Sequence, residues 1–236
     1  MRQPFLIKKI VDFIEMSNDT NPKDTPVGNP LLHKDLLGLE RKQSRNYRSA
    51  VGMLNYLQNS TRPDIAMAVH QCARFNNQPM LSHERAIKRI AKYLKGTSDR
   101  GIVYHPDKTK GIECYVDADF TGGWYQADAN NPENVMSRTG YAIYYVGCPV
   151  LWSSKLQTEI TLSTTEAEYI ALSSAMRDVM PLMFLMKEIS LVFPVQLSTP
   201  EVTCQVLKDN TSCIKVDESP KFTPRKKHIA IKYHHF

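Results

Sequence analysis

The apolar residues of this chain change period near residue 101, and that change limits the folds open to it. Upstream, hydrophobic side chains recur every three to four residues, the spacing that gives a helix one buried face. "PFLIKKIVDFIEM" (4–16) does so through Phe5, Ile7, Ile10, Val11 and Ile14. "YRSAVGMLNYLQNS" (47–60) does so through Val51, Leu54 and Leu57. "RPDIAMAVHQCARF" (62–75) sets Pro63 and Asp64 in a first turn, where a missing N–H and a negative charge both suit a helix. "SHERAIKRIAKYLKG" (82–96) reads as a helix from Ser82 as N-cap to Gly96, with Ile87, Ile90 and Leu94 buried. Arg85, Lys88, Arg89 and Lys92 crowd its other side, as a solvated face or one that follows phosphates. The stretch "SNDTNPKDTPVGNP" (17–30) reads as a linker.

Downstream of residue 101 the segments are short, β-branched and aromatic. "GIVYH" (101–105), "GIECYVDADF" (111–120), "GYAIYYVG" (140–147) and "PVLWSSK" (149–155) are expected strands, separated by Gly, Pro, Asp and Asn. The last two are joined closely enough, through Gly147–Pro149, to form a hairpin, and 121–137 is a long polar loop. A helix is expected from about Thr164 to about Ile189, kinked or split at Pro181. A strand "EVTCQVL" (201–207), a short helix from Asp209 and a helical tail "RKKHIAIKYHHF" (225–236) complete the chain. The fold class is therefore mixed α/β: a helical region over 1–100, then a meander of strands, then helix, strand, helix over 101–236.

Composition narrows the function classes. With 236 residues and 42% apolar content the chain can bury one large core or two small ones. Its net charge of +6 suits a partner that carries phosphates, a surplus shared by many other proteins. The five cysteines are odd in number and include no CxxC, which argues against a disulfide framework and for a reducing compartment. Cys204, Cys213, His228 and His234 lack the close cysteine pair of structural zinc sites. No apolar run approaches the roughly 18–20 residues of a membrane span. Lys8 and Lys9 interrupt the first apolar run, so no secretory leader is expected.

Chemistry enters with "YVDADF" (115–120). Asp119 suits a turn at the strand's end, but Asp117 stands mid-strand, where an ionised carboxylate is costly unless paired or metal-bound. Asp209 closes the strand "EVTCQVL", and open α/β sheets place their sites at strand C-terminal ends. On the helix, Glu166 and Glu168 lie about 200° apart, so only one can face a common centre. Ser163 followed by Glu166 is a capping box, in which Glu166 folds back on the N-cap amide; that favours Glu168 for the centre. Such acids, drawn from separate elements, fit two-metal phosphodiester cleavage, with ions about 3.5–4 Å apart. Ordinary caps and turns account for the same residues, Asp209-Asn210 above all. A polymerase-type paired-Asp hairpin does not fit, because Ala118 separates the acids and the next strand is about twenty residues away.

"YRSAVGMLNYLQNSTRPDIAMAV", "RAIKRIAKYLKGT", "YVDADF", "GYAIYYVGCPVLWSSKLQT", "LSTTEAEYIALSSA", "KDNTSCI" and "RKKHIAIKYHHF" are together similar to one family. They resemble, in order and over nearly the whole chain, the C-terminal part of the reverse transcriptase–ribonuclease H polyprotein of copia-type LTR retrotransposons. The resemblance implies polymerase thumb and connecting helices over 1–100 and a ribonuclease H-like domain over 101–236. It further implies cleavage of the RNA strand of an RNA–DNA hybrid with two Mg²⁺ ions, or Mn²⁺ in their place. Asp117, Glu168 and Asp209 fall on the family's first three catalytic, metal-holding acids, and Glu168 stands three residues before Ala171 as the family's glutamate does. Lys155, Asn210, Arg225, Lys226 and Lys227 are the expected nucleic-acid contacts. The hybrid and an upstream polymerase palm and fingers are the implied partners, with no membrane. The implied location is a cytoplasmic virus-like particle or the nucleus.

The family has a fifth strand and a last helix that opens with a fourth acid. The sequence ends at Phe236, before both, so the expectation is a ribonuclease H-like domain lacking them, either active or silenced. The rival expectations are a non-catalytic module that binds nucleic acid or docks on a polymerase, and a decayed element fragment.

Overall fold

Val51, Leu54, Leu57, Ile87, Ile90 and Leu94, picked out by helical period, meet in one core in a computed structural model of the chain. The structure describes residues 1–14, 21–28, 31–35, 37–41, 46–122, 126, 131–193 and 202–209. They fall into two units, Met1–Val103 and Tyr104–Phe236.

In the first unit, α1 (Pro4–Phe13), α2 (Tyr47–Ser60), α3 (Ala66–Ala73) and α4 (Leu81–Gly96) close around those residues together with Ile7, Ile10 and Ile65. Burying each such side chain stabilises the fold by about 1.5–3 kcal/mol. Phe5 shares the period but lies 89% exposed, outside the stripe. Pro63–Ile65 form a 3₁₀ turn that leads into α3. The start of α4 differs from expectation: Met80, not Ser82, is the N-cap. The His83 ring Nδ1 accepts the Met80 N–H at 2.8 Å, while Ser82 Oγ donates to Asp35 at 2.6 Å. A side chain three residues into the helix thus does the capping, and Ser82 is spent on a neighbouring segment.

Residues 21–28 are a strap, not a free linker. Val27 and Leu32 pack on the helical core, and Arg89 donates to the Thr25 carbonyl at 3.1 Å and to its hydroxyl at 2.8 Å. Nor is "GIVYH" a strand. Ile102 N–H bonds back to the Met1 carbonyl, and Val103 and Tyr104 are exposed. With no partner strand alongside, β-propensity alone does not make a sheet.

The second unit is a four-stranded mixed sheet in the order β3-β2-β1-β4, with one long helix. β1 (Ile112–Asp119) pairs antiparallel with β2 (Arg138–Tyr145), from Ile112↔Tyr145 to Asp119↔Arg138. β2 pairs antiparallel with β3 (Cys148–Leu156) through a turn at Val146–Gly147. Both turn residues have positive φ, 48° and 74°, as a tight two-residue hairpin requires. Val146 is an uncomfortable residue there. Its carbonyl accepts Asp107 N–H at 2.8 Å and its amide donates to Gly111 at 3.1 Å, which hold the conformation.

After β3, α5 (Thr164–Val192) crosses the sheet to β4 (Cys204–Leu207), which pairs parallel with β1. Ala171, Leu172, Ala175 and Val179 lie on Ile112, Cys114, Val116 and Ile143. α5 runs unbroken through Pro181, so of the expected kink or split the split does not occur. By length and composition α5 could cross a membrane, but the face it buries on the sheet is that of a core helix. The expected helix after Asp209, the tail 225–236, Cys213, His228 and His234 lie outside the described residues.

Candidate metal centre

β1 and β4 run parallel, and the Tyr115↔Leu207 pair is the last in their register. Carried on by two residues, that register sets Asp209 beside Asp117 at the C-terminal ends of both strands. The third acid comes from the first turns of α5. Ser163 caps that helix by accepting Glu166 N–H at 3.2 Å. The Glu166 carboxylate accepts Leu162 N–H at 2.8 Å, one residue before the cap amide expected for it. Glu166 is thereby committed to the helix start, and Glu168 turns inward at 5% exposure. Gln157 positions this turn: its Nε2 donates to the Ala167 carbonyl at 2.8 Å and to Thr139 Oγ1 at 3.1 Å.

The result is a cluster. One oxygen from each of Asp117, Glu168 and Asp209 lies within 4.8 Å of the other two. The physical account of Asp117 needs correcting, however. Ile112, Cys114 and Val116 point into the core, while Asp117 is exposed, so the desolvation cost falls on Glu168 instead. Asp119, expected in a turn, is instead the last residue of β1, paired with Arg138, and its carboxylate lies over Gly122 where a Cβ would clash with it.

One member of the site escaped the sequence reading. Lys208 has a side chain only 3% exposed, with its Nζ 2.7 Å from Glu168 Oε2. The angle makes this an ion pair without hydrogen-bond alignment, and the ammonium's directed bond goes to the Glu168 carbonyl. The signal was available: Cys204 and Val206 pack inward on β4, and alternation carries Lys208 to the same side.

Tyr115, Asp117, Gly140, Tyr141, Leu207 and Asp209 line an open depression of about 560 Å³ at this sheet end. Tyr141 donates its phenolic proton to Asp178, and burial, then that carboxylate, raises its pKa, so neither group is a free base. Burial pushes the nearby Cys114 thiol up to about 12 and the Cys204 thiol up to about 11. Both are neutral thiols at pH 7 and poor metal ligands. The donors that remain are hard carboxylate oxygens, a set suited to Mg²⁺ or Mn²⁺.

Of the expected nucleic-acid contacts, Lys155 is exposed on β3, in the row Ala118–Thr139–Lys155 rather than in the Asp117–Gly140–Ser154 row. Asn210, Arg225, Lys226 and Lys227 lie outside the described residues.

No family model matches the chain, and no solved structure does. Several proteins are similar to it, among them two Pol polyproteins and one effector protein. The retrovirus-related Pol polyprotein from transposon RE1 of Arabidopsis thaliana is 33% identical over 95% of this chain and 14% of its own length. That from transposon TNT 1-94 of Nicotiana tabacum is 32% identical over 99% of this chain and 17% of its own. The secreted RxLR effector protein 161 of Plasmopara viticola is 38% identical over 56% of this chain and 87% of its own. The chain thus spans about one-seventh to one-sixth of the length of the polyproteins that match it throughout. Matched from end to end, it is homologous to one region of the retrovirus-related Pol polyproteins of copia-like transposons.

Proposed function

We propose that Tyr104–Phe236 is a ribonuclease H-type portion of a retrotransposon reverse transcriptase and hydrolyses the RNA strand of RNA–DNA hybrids. The observation that carries this reading is the meeting of Asp117, Glu168 and Asp209 within 4.8 Å, contributed by two parallel strands and one helix. The mixed sheet order β3-β2-β1-β4 is compatible with a ribonuclease H-like fold. In the same reading Met1–Val103 is the thumb and connecting region, which follows a polymerase palm and fingers.

Asp117, Glu168 and Asp209 would hold the divalent ions; when bound, these supply an activated water and neutralise charge at the scissile phosphate. The remaining work belongs to the chain itself. The exposed pair Asp117 and Asp209 faces an open depression that a duplex backbone can approach, while buried Glu168 is held in place by the Gln157 bond to its helix turn. Recognition of a hybrid would use backbone shape and 2′-hydroxyls rather than base edges. The test is cleavage of an end-labelled RNA–DNA hybrid in Mg²⁺. Asp117→Asn is expected to abolish EDTA-sensitive cleavage, and unchanged cleavage by that variant rules the assignment out.

A second reading, hybrid binding without turnover, has its own support in the first unit. Lys23, Arg85, Lys88, Arg89 and Lys92 line a groove of about 400 Å³ that has no carboxylate among its described lining residues. Lys88 is paired with Glu84 at 3.2 Å and Arg89 with Thr25, so the cations are held in place at the rim. This reading expects salt-sensitive binding of the hybrid with no product; turnover that EDTA removes argues against it.

A further inference from the structure

A lysine side chain that is 3% exposed is rare, because a buried cation needs a partner close by. Lys208 has one: its Nζ rests 2.7 Å from Glu168 Oε2 and also donates to the Glu168 carbonyl. The next residue is Asp209, which is exposed just past the end of β4 while the Lys208 side chain is buried. One dipeptide therefore delivers a carboxylate to the cluster and a cation to the buried acid behind it. We propose that the Lys208 ammonium is a built-in counter-ion of the Asp117–Glu168–Asp209 cluster, which a divalent ion must displace from Glu168 before all three acids can hold metal.

The inference rests on the metal-site reading above and adds a threshold to it. Three carboxylates within 4.8 Å repel one another, and Lys208 offsets that repulsion when no metal is bound. A divalent ion at the same oxygens takes over the offsetting task and repels the ammonium a few ångströms away. At the effective dielectric of a protein site, removing that unit charge is expected to tighten metal binding about ten-fold or more. Lys208 thus keeps the cluster assembled at low metal and makes occupancy a competition between two cations.

The experiment titrates MnCl₂ alone into the 236-residue chain by calorimetry, with thermal unfolding followed alongside. Lys208→Met keeps the apolar stem and removes the charge. It is expected to bind Mn²⁺ about ten-fold more tightly than the wild type. Without metal it should unfold at lower temperature, because buried Glu168 loses its partner, and its midpoint should rise more on adding Mn²⁺. Lys208→Arg, which keeps the charge, should retain the weaker binding, and that comparison stands even if Lys208→Met folds only with metal. Equal Mn²⁺ affinity in all three proteins, with binding lost in Asp117→Asn, overturns the role of Lys208 and leaves the metal site standing. Undiminished binding in Asp117→Asn overturns the site itself, and the counter-ion role falls with it.

Discussion

The two units bury charge in opposite ways. In Met1–Val103, Arg62 is 1% exposed and every direction of its guanidinium is used: Asp64 at 2.8 Å, the Thr97 carbonyl at 2.8 Å and the Thr97 hydroxyl at 2.7 Å. Tyr93 closes the circle by donating to Asp64 at 2.7 Å. Glu84 is likewise held by Arg41 at 3.3 Å and Lys88 at 3.2 Å. These networks are complete within the fold and tie α4 to the turn that precedes α3. In Tyr104–Phe236 the buried pair Glu168–Lys208 instead sits behind two exposed carboxylates that face an open depression. A charge network that closes on itself is architecture; one left with surplus negative charge at the surface is arranged for something else to complete. Burial alone would not have separated the two cases.

That contrast can be broken most forcefully at Glu168. Glu168→Gln is expected to lower hybrid cleavage by about 10³-fold or more, the loss of several kcal/mol of metal-borne stabilisation, measured under single turnover. Arg62→Met should act on the other unit, costing about 3 kcal/mol of its stability in denaturant melts. That is the low end for a broken buried pair, because Asp64 is partly solvated. Mn²⁺ affinity of the second unit should not move. Gln157→Leu leaves the Ala167 carbonyl and the Thr139 hydroxyl without their partner. It should cost about 1–3 kcal/mol and weaken Mn²⁺ binding as the Glu168 turn loosens, which separates it from Arg62→Met. Glu166→Ala removes the acceptor of the Leu162 N–H at the helix end. Its cost is about 1 kcal/mol in thermal melts, with Mn²⁺ affinity retained, in contrast to Glu168→Gln.

The smallest expected effect is a pH dependence confined to the first unit. Burial holds the His83 imidazole below its ordinary 6.5, against the opposing pull of the His33 carbonyl and Asp35. Its Nδ1 accepts the Met80 N–H, a bond that only the neutral ring can make. The unfolded chain therefore binds the proton more readily. Stability from this group is complete above pH 6.5 and declines as pH falls below it. Thermal midpoints at pH 7.5 and pH 5.5 should show the drop in helical signal, and a flat response would remove His83 from the account.

Much of this was legible in the sequence, for local reasons. The expected bounds of α2 hold at both ends, because Asn46 supplies a cap and Val51, Leu54 and Leu57 supply an unbroken stripe. The choice of Glu168 over Glu166 also came from local chemistry, since a capping glutamate is identified by its distance from a serine. What failed was whatever needed a neighbour. "GIVYH" had strand-forming residues and no strand to pair with. Ser82 had a cap's chemistry, but Met80 holds the N-cap position and the His83 side chain does the capping. Pro181 was expected to kink or split its helix, and core packing of Val179 and Met186 on either side accompanies a helix that is not split.

By itself, then, the sequence determined where the period changes from helix to strand, which residues form each buried stripe and which three acids have the means to act together. Those properties reside in spacing along the chain. Only the tertiary structure decided that the acids meet, that Asp117 is solvated while Glu168 bears the burial, and that Lys208 lies against it. Proximity between residues some forty to ninety apart depends on a parallel strand pairing and a helix crossing, and no local pattern encodes that distance.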